Sequence, residues 1–297
     1  MHDAIAFIGF GEAAAAFASG ADWSDRARAY DRKTDLPGES AAKWSDYAAH
    51  GIAGRSTPVD AADGAGLILS LVTADQAIRA AGAAVPSLAP GALFFDGNSV
   101  SPETKRAAAR LVAGSGARYI DLAILAPVHP LKLRVPLLVS GPEAETGAAM
   151  LAALGFENVV VAGPGIGDAS AIKMIRSVVV KGLEALTAEC LLAAARAGVV
   201  DAVIRSLDAS SKPASWGEQM DYALDRMLAH GSRRAAEMEE VAKTLEALGV
   251  DPAMTRGTIE RQRELGALGI EAPTSLAAKL AVIDAGPADI EKKEQPA

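Results

Sequence analysis

The sequence predicts a doubly wound α/β domain with a mostly parallel sheet, followed by an all-helical domain. Three observations carry this expectation. Short apolar runs alternate with helical segments as far as about residue 162, the pattern of a parallel sheet covered by helices on both faces. A breaker cluster, Gly163-Pro164-Gly165-Ile166-Gly167, then interrupts the chain. Beyond it every periodic segment reads as helix and no strand is needed. The 297 residues are about twice a modal domain of roughly 100–150 residues, so two domains are expected. The division falls at 1–165 for the sheet domain and 166–286 for the helical domain, with 287–297 as a disordered tail.

Each element has its own local signal. Residues 4–8 form a short apolar run ending in glycine and read as a buried strand. A helix of small residues follows from 11 to about 19. Residues 27–30 are the second strand, closed by Asp31, and 66–72 are a clear third. A helix is expected over 74–84 and a strand over 92–95, closed by Asp96. Ser101 caps the next helix, with Pro102 in its first turn and Glu103 suited to its dipole; it runs to about Val112. Further strands are expected at 119–123, 135–140 and 159–161. A long helix then covers 168 to about 197, and others 202–207, 216–248, 252–265 and 275–283. The charged, proline-bearing end from 285 reads as a frayed tail.

Composition excludes several classes. Half the residues are apolar and 22% are charged, as in a globular protein. The net charge of −8, without a basic cluster, argues against nucleic acid and anionic membranes as partners. One cysteine, Cys190, fits a reducing compartment and has no metal-site spacing. No basic segment precedes the first apolar run, and no run reaches the roughly 20 apolar residues of a membrane span, so a cytoplasmic location is expected. Only four histidines occur, without ligand spacing, and no metal is expected.

The chemistry begins after the first strand. Gly9-Phe10-Gly11-Glu12-Ala13-Ala14 matches G-x-G-x-x-A between a strand and a helix, the context of a dinucleotide-binding Rossmann turn. Gly9 permits the tight turn, Gly11 lets backbone approach a pyrophosphate, and Ala14 allows close helix–strand packing. The helix N-terminus then supplies amides and positive dipole to the phosphates, and Phe10, Glu12 and Ala13 join the glycines as candidate cofactor-binding residues. Asp31, at the end of the second strand, would accept hydrogen bonds from a ribose 2′-hydroxyl and so favours NAD. Arg32 and Lys33 follow directly and could hold a 2′-phosphate instead, which leaves NADP open. A plain, solvated βα turn is the alternative for all of these.

Four segments together resemble the β-hydroxyacid dehydrogenase family, which includes 3-hydroxyisobutyrate and 6-phosphogluconate dehydrogenases. They are the glycine turn, Ser70-Leu71-Val72-Thr73, the loop Asp96-Gly97-Asn98-Ser99-Val100-Ser101-Pro102, and Gly167 to Lys173. The segment Arg233-Arg234-Ala235-Ala236-Glu237-Met238-Glu239-Glu240 is similar to a helical domain of unassigned function found in phosphogluconate dehydrogenase-like proteins. The resemblance implies a hydride-transferring enzyme, a dimer or larger, with its site between the domains. It implies Val72 and Thr73 at the nicotinamide, Asn98 and Ser99 on substrate, and Lys173 as general acid/base. The sequence departs from the family pattern at Ala169, which replaces a glycine, at Ser177, which replaces an asparagine, and over 124–130, where a glycine-rich loop is rewritten.

Read as residues alone, several of these positions have a second interpretation. Lys173 and Ser177 are four apart and share a helix face. A desolvated lysine can move a hydroxyl proton as hydride leaves, and Ser177 could hold the same oxygen; alternatively Lys173 snorkels at a helix start. Asn98 and Ser99 lie where such sheets bind ligands, but both also suit a helix-entry turn. His129, in the loop before Pro130, is an acid/base or substrate-donor candidate, or simply solvated. Arg233 suits a substrate carboxylate, or pairs with Glu237. The expected function is NAD(P)-dependent hydride transfer with a small 3-hydroxy acid, in a homodimer. The alternatives are imine reduction on the same architecture and a non-catalytic NAD(P)-binding regulator.

Overall fold

A computed structural model describes residues 4–24, 26–210 and 214–290. Contacts divide the chain into two units, Met1–Val179 and Val180–Ala297.

The first unit is built on eight strands: β1 (Ile5–Ile8), β2 (Ala27–Tyr30), β3 (Ala53–Gly54), β4 (Leu67–Ser70), β5 (Leu93–Asp96), β6 (Arg118–Ile124), β7 (Leu137–Ser140) and β8 (Val159–Gly163). They form one sheet in the order β3-β2-β1-β4-β5-β6-β7-β8. All neighbours are parallel except β6 and β7. The chain winds from β1 outward to β2 on one side and returns to β4 on the other, so the carboxyl ends of β1 and β4 flank the switch point where such sheets bind ligands.

Strand residues alternate between two apolar layers, as the period of two requires. Ile5, Phe7, Leu67, Leu69, Leu93 and Phe95 pack into one cluster. Ala6, Ile8, Ile68 and Phe94 pack into the other. Both faces are covered, which is why these strands read as continuous apolar runs. Helices α1 (Glu12–Ala18), α2 (Ser40–Ala49), α3 (Pro58–Ala62), α4 (Ala77–Ala84), α5 (Pro102–Ala113) and α6 (Ala144–Ala153) supply the covers. Ser101 caps α5 by accepting from the Thr104 amide, with Pro102 in the first turn, as its sequence indicates.

Helix α7 (Asp168–Arg196) spans the unit division. Its start belongs with the sheet because the Ala169 amide donates to Ser140 Oγ (3.0 Å) and the Ser170 amide to Asp121 Oδ2 (3.0 Å). The second unit adds α8 (Val200–Ser210), α9 (Trp216–Ala247), α10 (Ala253–Gly266) and α11 (Leu276–Ile290). Helices α9 and α10 touch backbone to backbone: a Cβ at Gly231 would lie 2.2 Å from Gln262 O. Buried Glu189 of α7 caps α10, accepting from the amides of Met254 (2.8 Å) and Thr255 (3.0 Å) and from Thr255 Oγ1 (2.6 Å).

Two expectations need correcting. The segment after 285 is not all tail: helical backbone continues to Ile290, interrupted at Gly286 with φ 67°. Residues 291–297, the rest of the expected disordered tail, lie outside the described residues. The expected helix over 74–84 opens as a 3-10 turn at Ala74–Gln76. The two-residue strand β3 and helices α2, α3 and α6 carry no expectation at all.

Candidate active site

Three loops leave the carboxyl ends of adjacent strands β1, β4 and β5. The first is the glycine turn. Gly9 has φ 90°, and a Cβ there would lie 2.4 Å from Leu71 O, so both conformation and space demand glycine. Gly11 is exposed, and nothing lies within 4 Å of a Cβ built on it. It precedes α1 with no side-chain cap, so first-turn amides are left for an external acceptor. Glu12 is exposed, Ala13 half-buried and Ala14 buried against the sheet. The open position at Gly11 and the tight one at Gly9 fit a dinucleotide phosphate cradle.

Phe10 is buried, edge-on to Phe7 and Tyr47. Its backbone fixes the turn at both ends. The Phe10 amide donates to Asp31 Oδ2 (2.8 Å), and its carbonyl accepts from Lys43 Nζ (2.7 Å). Asp31 Oδ1 also accepts from the Lys33 amide (3.0 Å). Thus Asp31 both braces the glycine turn and sets a negative charge at the end of β2. The Lys33 ammonium pairs with Glu39 (2.8 Å), while Arg32 is exposed.

The second loop carries half-buried Val72 and exposed Thr73. The third carries Asn98 and Ser99, and the structure separates their roles. Asn98 is 3% exposed. Its Oδ1 accepts from the Val72 amide (2.6 Å) and its Nδ2 donates to Ser70 Oγ (3.0 Å), so it stitches the second loop to the third. Ser99 is exposed, and its Oγ accepts from Lys173 Nζ at 2.5 Å. Lys173 is half-buried on the first turns of α7. Ser177 lies one turn later and donates its hydroxyl hydrogen to Lys173 O (2.8 Å).

Beneath this pair is a polar cluster that sequence reasoning missed. Lys105 of α5 is fully buried. Its ammonium donates to the backbone carbonyl of Asp96, to Asp96 Oδ1 (3.0 Å) and to Leu122 O (3.4 Å), and it pairs with Asp121 Oδ1 (3.2 Å). Tyr119 donates to Asp96 Oδ2 (2.7 Å). Burial, then the Asp96 charge, push the Tyr119 phenol far above its ordinary range, so it stays a donor. A lysine three residues after a helix-starting proline reads as a solvated charge; only the fold brings Asp121 to it.

Of the other expected site residues, one lies elsewhere in the first unit and one belongs to the second unit. His129 is exposed in the loop after β6, which docks on the end of α1 through Lys132 Nζ to Ser19 O (3.1 Å) and Leu133 against Gly20. Arg233 is exposed on α9 in the second unit. Its neighbour Arg234 lines a cavity of about 350 Å³ with Tyr222, Arg226 and Gln262. Among the described residues there is no cluster of metal-ligating side chains, and no helix is long and apolar enough to cross a membrane.

Comparison with known proteins shows the family and the fold. Residues 4–155 match the NAD binding domain of 6-phosphogluconate dehydrogenase, and residues 194–265 match a domain of unknown function, DUF1932. A conserved hypothetical protein from Sinorhizobium meliloti is 36% identical, with 95% of this chain and 96% of that one covered and a TM-score of 0.60. A conserved protein of unknown function, described as structurally similar to 3-hydroxyacid dehydrogenases, is 30% identical over 89% of this chain and 96% of its own (TM-score 0.56). An imine reductase from Streptomyces aurantiacus shares the fold at 22% identity, with 94% and 98% covered and a TM-score of 0.72. An uncharacterized 28.5 kDa protein from Methanothermus fervidus is 26% identical over 170 residues; the match spans 56% of this chain and 63% of that curated relative.

Proposed function

We propose, from the premise that this chain belongs to the family defined by the NAD binding domain of 6-phosphogluconate dehydrogenase, that it passes a hydride between a nicotinamide cofactor and a small 3-hydroxy acid. Lys173 moves the hydroxyl proton. The observation that carries this reading is the Lys173 Nζ to Ser99 Oγ contact (2.5 Å) at the carboxyl edge of the sheet.

When bound, the nicotinamide supplies the hydride acceptor or donor. The chain's residues do the rest. In oxidation a neutral Lys173 amine takes the substrate hydroxyl proton as the C–H bond breaks; in reduction the ammonium returns it to the forming alkoxide. Ser99 accepts from Lys173, so its own hydrogen is free to hold a substrate carboxylate oxygen. Asn98 holds the loop that presents Ser99, accepting from the Val72 amide and giving one amide hydrogen to Ser70. NAD is favoured over NADP because Asp31 sets a carboxylate at the end of β2 and the Lys33 ammonium is already paired with Glu39. The same reading includes a homodimer: Ile175 and Val178 on α7 are 71% and 73% exposed, an apolar face that suits a second copy.

Imine reduction is the second reading. One observation favours it: Ser177 stands where the resembling family commonly has an asparagine, and its hydroxyl hydrogen is turned to the Lys173 carbonyl rather than held out for a substrate oxygen, which an imine does not have.

The test is an initial-rate screen of 3-hydroxy acids with NAD, followed at 340 nm, with cyclic imines plus NADH or NADPH in parallel. Hydroxy-acid oxidation is expected, with a loss of at least ~100-fold in Lys173→Ala at unchanged cofactor affinity. Turnover retained in that variant would remove the lysine from the mechanism. Imine reduction without hydroxy-acid oxidation would replace the first reading by the second.

A further inference from the structure

The two halves of the proposed catalytic pair sit on different elements. Ser99 follows β5, and Lys173 is on α7. Each element is anchored at its base by a buried carboxylate. Asp96 Oδ1 accepts from the Asn98 amide (3.0 Å) and so sets the turn that presents Ser99. Asp121 Oδ2 accepts from the Ser170 amide (3.0 Å) and from Ser140 Oγ (3.2 Å), fixing the turn of α7 just before Lys173. The Lys105 ammonium lies between the two carboxylates, 3.0 Å from Asp96 Oδ1 and 3.2 Å from Asp121 Oδ1. All three residues are 0% exposed. Asp121 Oδ1 has no hydrogen-bond partner among the described residues, so the ammonium is what offsets its burial.

We infer that Lys105 is a positioning residue for the reaction: one buried ammonium locks the Ser99 loop and the Lys173 helix turn into register through Asp96 and Asp121. It touches neither cofactor nor substrate. Without it, two buried carboxylates face each other uncompensated, and like charges this close force the loop and the helix turn apart or drive one carboxylate to protonate. The glycine turn hangs on Asp31 and Lys43 instead, so the phosphate end of the cofactor site is held independently of this lock, which reaches the Val72 loop only through Asn98. The kinetic part of the inference rests on the proposed role of Lys173; the structural part does not.

The experiment uses the full chain with Lys105→Met, which keeps length and removes charge, and Asp121→Asn, which keeps shape. Hydrogen exchange is followed by mass spectrometry, NADH affinity by fluorescence, and turnover with the best substrate of the screen above. For a folded Lys105→Met the expected result is faster exchange in both 96–101 and 168–174, with 9–18 unchanged and NADH affinity within about twofold. The turnover number falls by about 100-fold, the size expected for misplacing a reacting group by an ångström, and the pH–rate limb of Lys173 moves. A purely structural role would speed exchange throughout the chain, lower NADH-binding capacity and turnover in proportion to the folded fraction, and leave the pH profile in place; that result overturns the inference. Wild-type exchange in both segments overturns it too. If Lys105→Met does not fold, Asp121→Asn decides: slowed turnover with intact NADH binding supports the lock, and wild-type turnover overturns it. Loosened segments together with a wild-type rate for Lys173→Ala would refute the catalytic reading of Lys173 while leaving the lock standing.

Discussion

Two glycines only two residues apart, Gly9 and Gly11, should fail in opposite ways when each receives a methyl group. At Gly9 the Cβ of alanine would sit 2.4 Å from Leu71 O and 2.7 Å from Val72 Cγ1, at a φ of 90°. The backbone cannot retreat. The Gly9 amide is bonded to Tyr30 O and the Leu71 amide to Ile8 O, both at 2.8 Å, so the turn is held between three strands. Overpacking costs about 1–3 kcal/mol and a positive φ roughly 1–2 kcal/mol more. Gly9→Ala is therefore expected to lose about 2–5 kcal/mol, a large share of a typical stability of ~5–15 kcal/mol. At Gly11 nothing lies within 4 Å of the added Cβ, and φ −95°, ψ −157° is extended backbone open to any residue. The free protein should hold its stability or gain up to ~1 kcal/mol. The methyl group instead occupies the space through which a pyrophosphate approaches. A clash of about 1–3 kcal/mol there weakens NADH binding by roughly 5- to 150-fold. The assays are urea unfolding of the free proteins and fluorescence titration with NADH. A destabilised Gly11→Ala, or one that binds NADH like the wild type, would refute the assignment of this turn as the phosphate cradle.

Two further outcomes follow from other parts of the chain. Glu189→Ala removes the acceptor of two α10 amides and the Thr255 hydroxyl, so urea unfolding should show a loss of about 2–3 kcal/mol with NADH affinity unchanged; a loss under ~0.5 kcal/mol would contradict the capping role. Burial first, and then the hydrogen bond to Asp35, push the Tyr30 phenol up to about 12. A raised folded value means the folded state holds its proton longer, so this contribution is complete below pH 10 and is lost as pH rises toward 12. Tyr30→Phe should flatten the fall of stability over that window, and an unchanged slope would contradict it.

How far the sequence reaches is clearest when elements are compared. The strand at Ile5–Ile8 was legible because four apolar residues in a row, all buried here, leave no other economical reading beside a glycine turn. The start of α5 was legible because Ser101, Pro102 and Glu103 each satisfy a different requirement of a helix N-terminus. The strand at Ala53–Gly54 has two residues, too few to show a period. The end of the chain was misread because Gly286-Pro287 does break the helix locally, yet helical backbone resumes beyond it. The candidate site divides in the same way. Gly9, Gly11 and Asp31 are local signals at fixed spacing. The meeting of Ser99 with Lys173 spans 74 residues and came from family resemblance. The burial of Lys105 came from neither, because its partners, Asp96 and Asp121, lie on two other elements and a lysine on a helix normally stays in water. The commitment of Asn98 to Val72 and Ser70 was hidden for the same reason: its partners are set by sheet order.

On the proposed function, this chain uses a nicotinamide cofactor held by the Gly9–Ala14 turn and selected by Asp31. The direct measurement is a fluorescence titration of the purified protein with NADH and, in parallel, NADPH. Tight NADH binding with NADPH weaker by at least tenfold is the predicted result. A preference for NADPH would transfer the ribose assignment from Asp31 to Arg32 and Lys33, and binding of neither by the folded protein would contradict the account at its base.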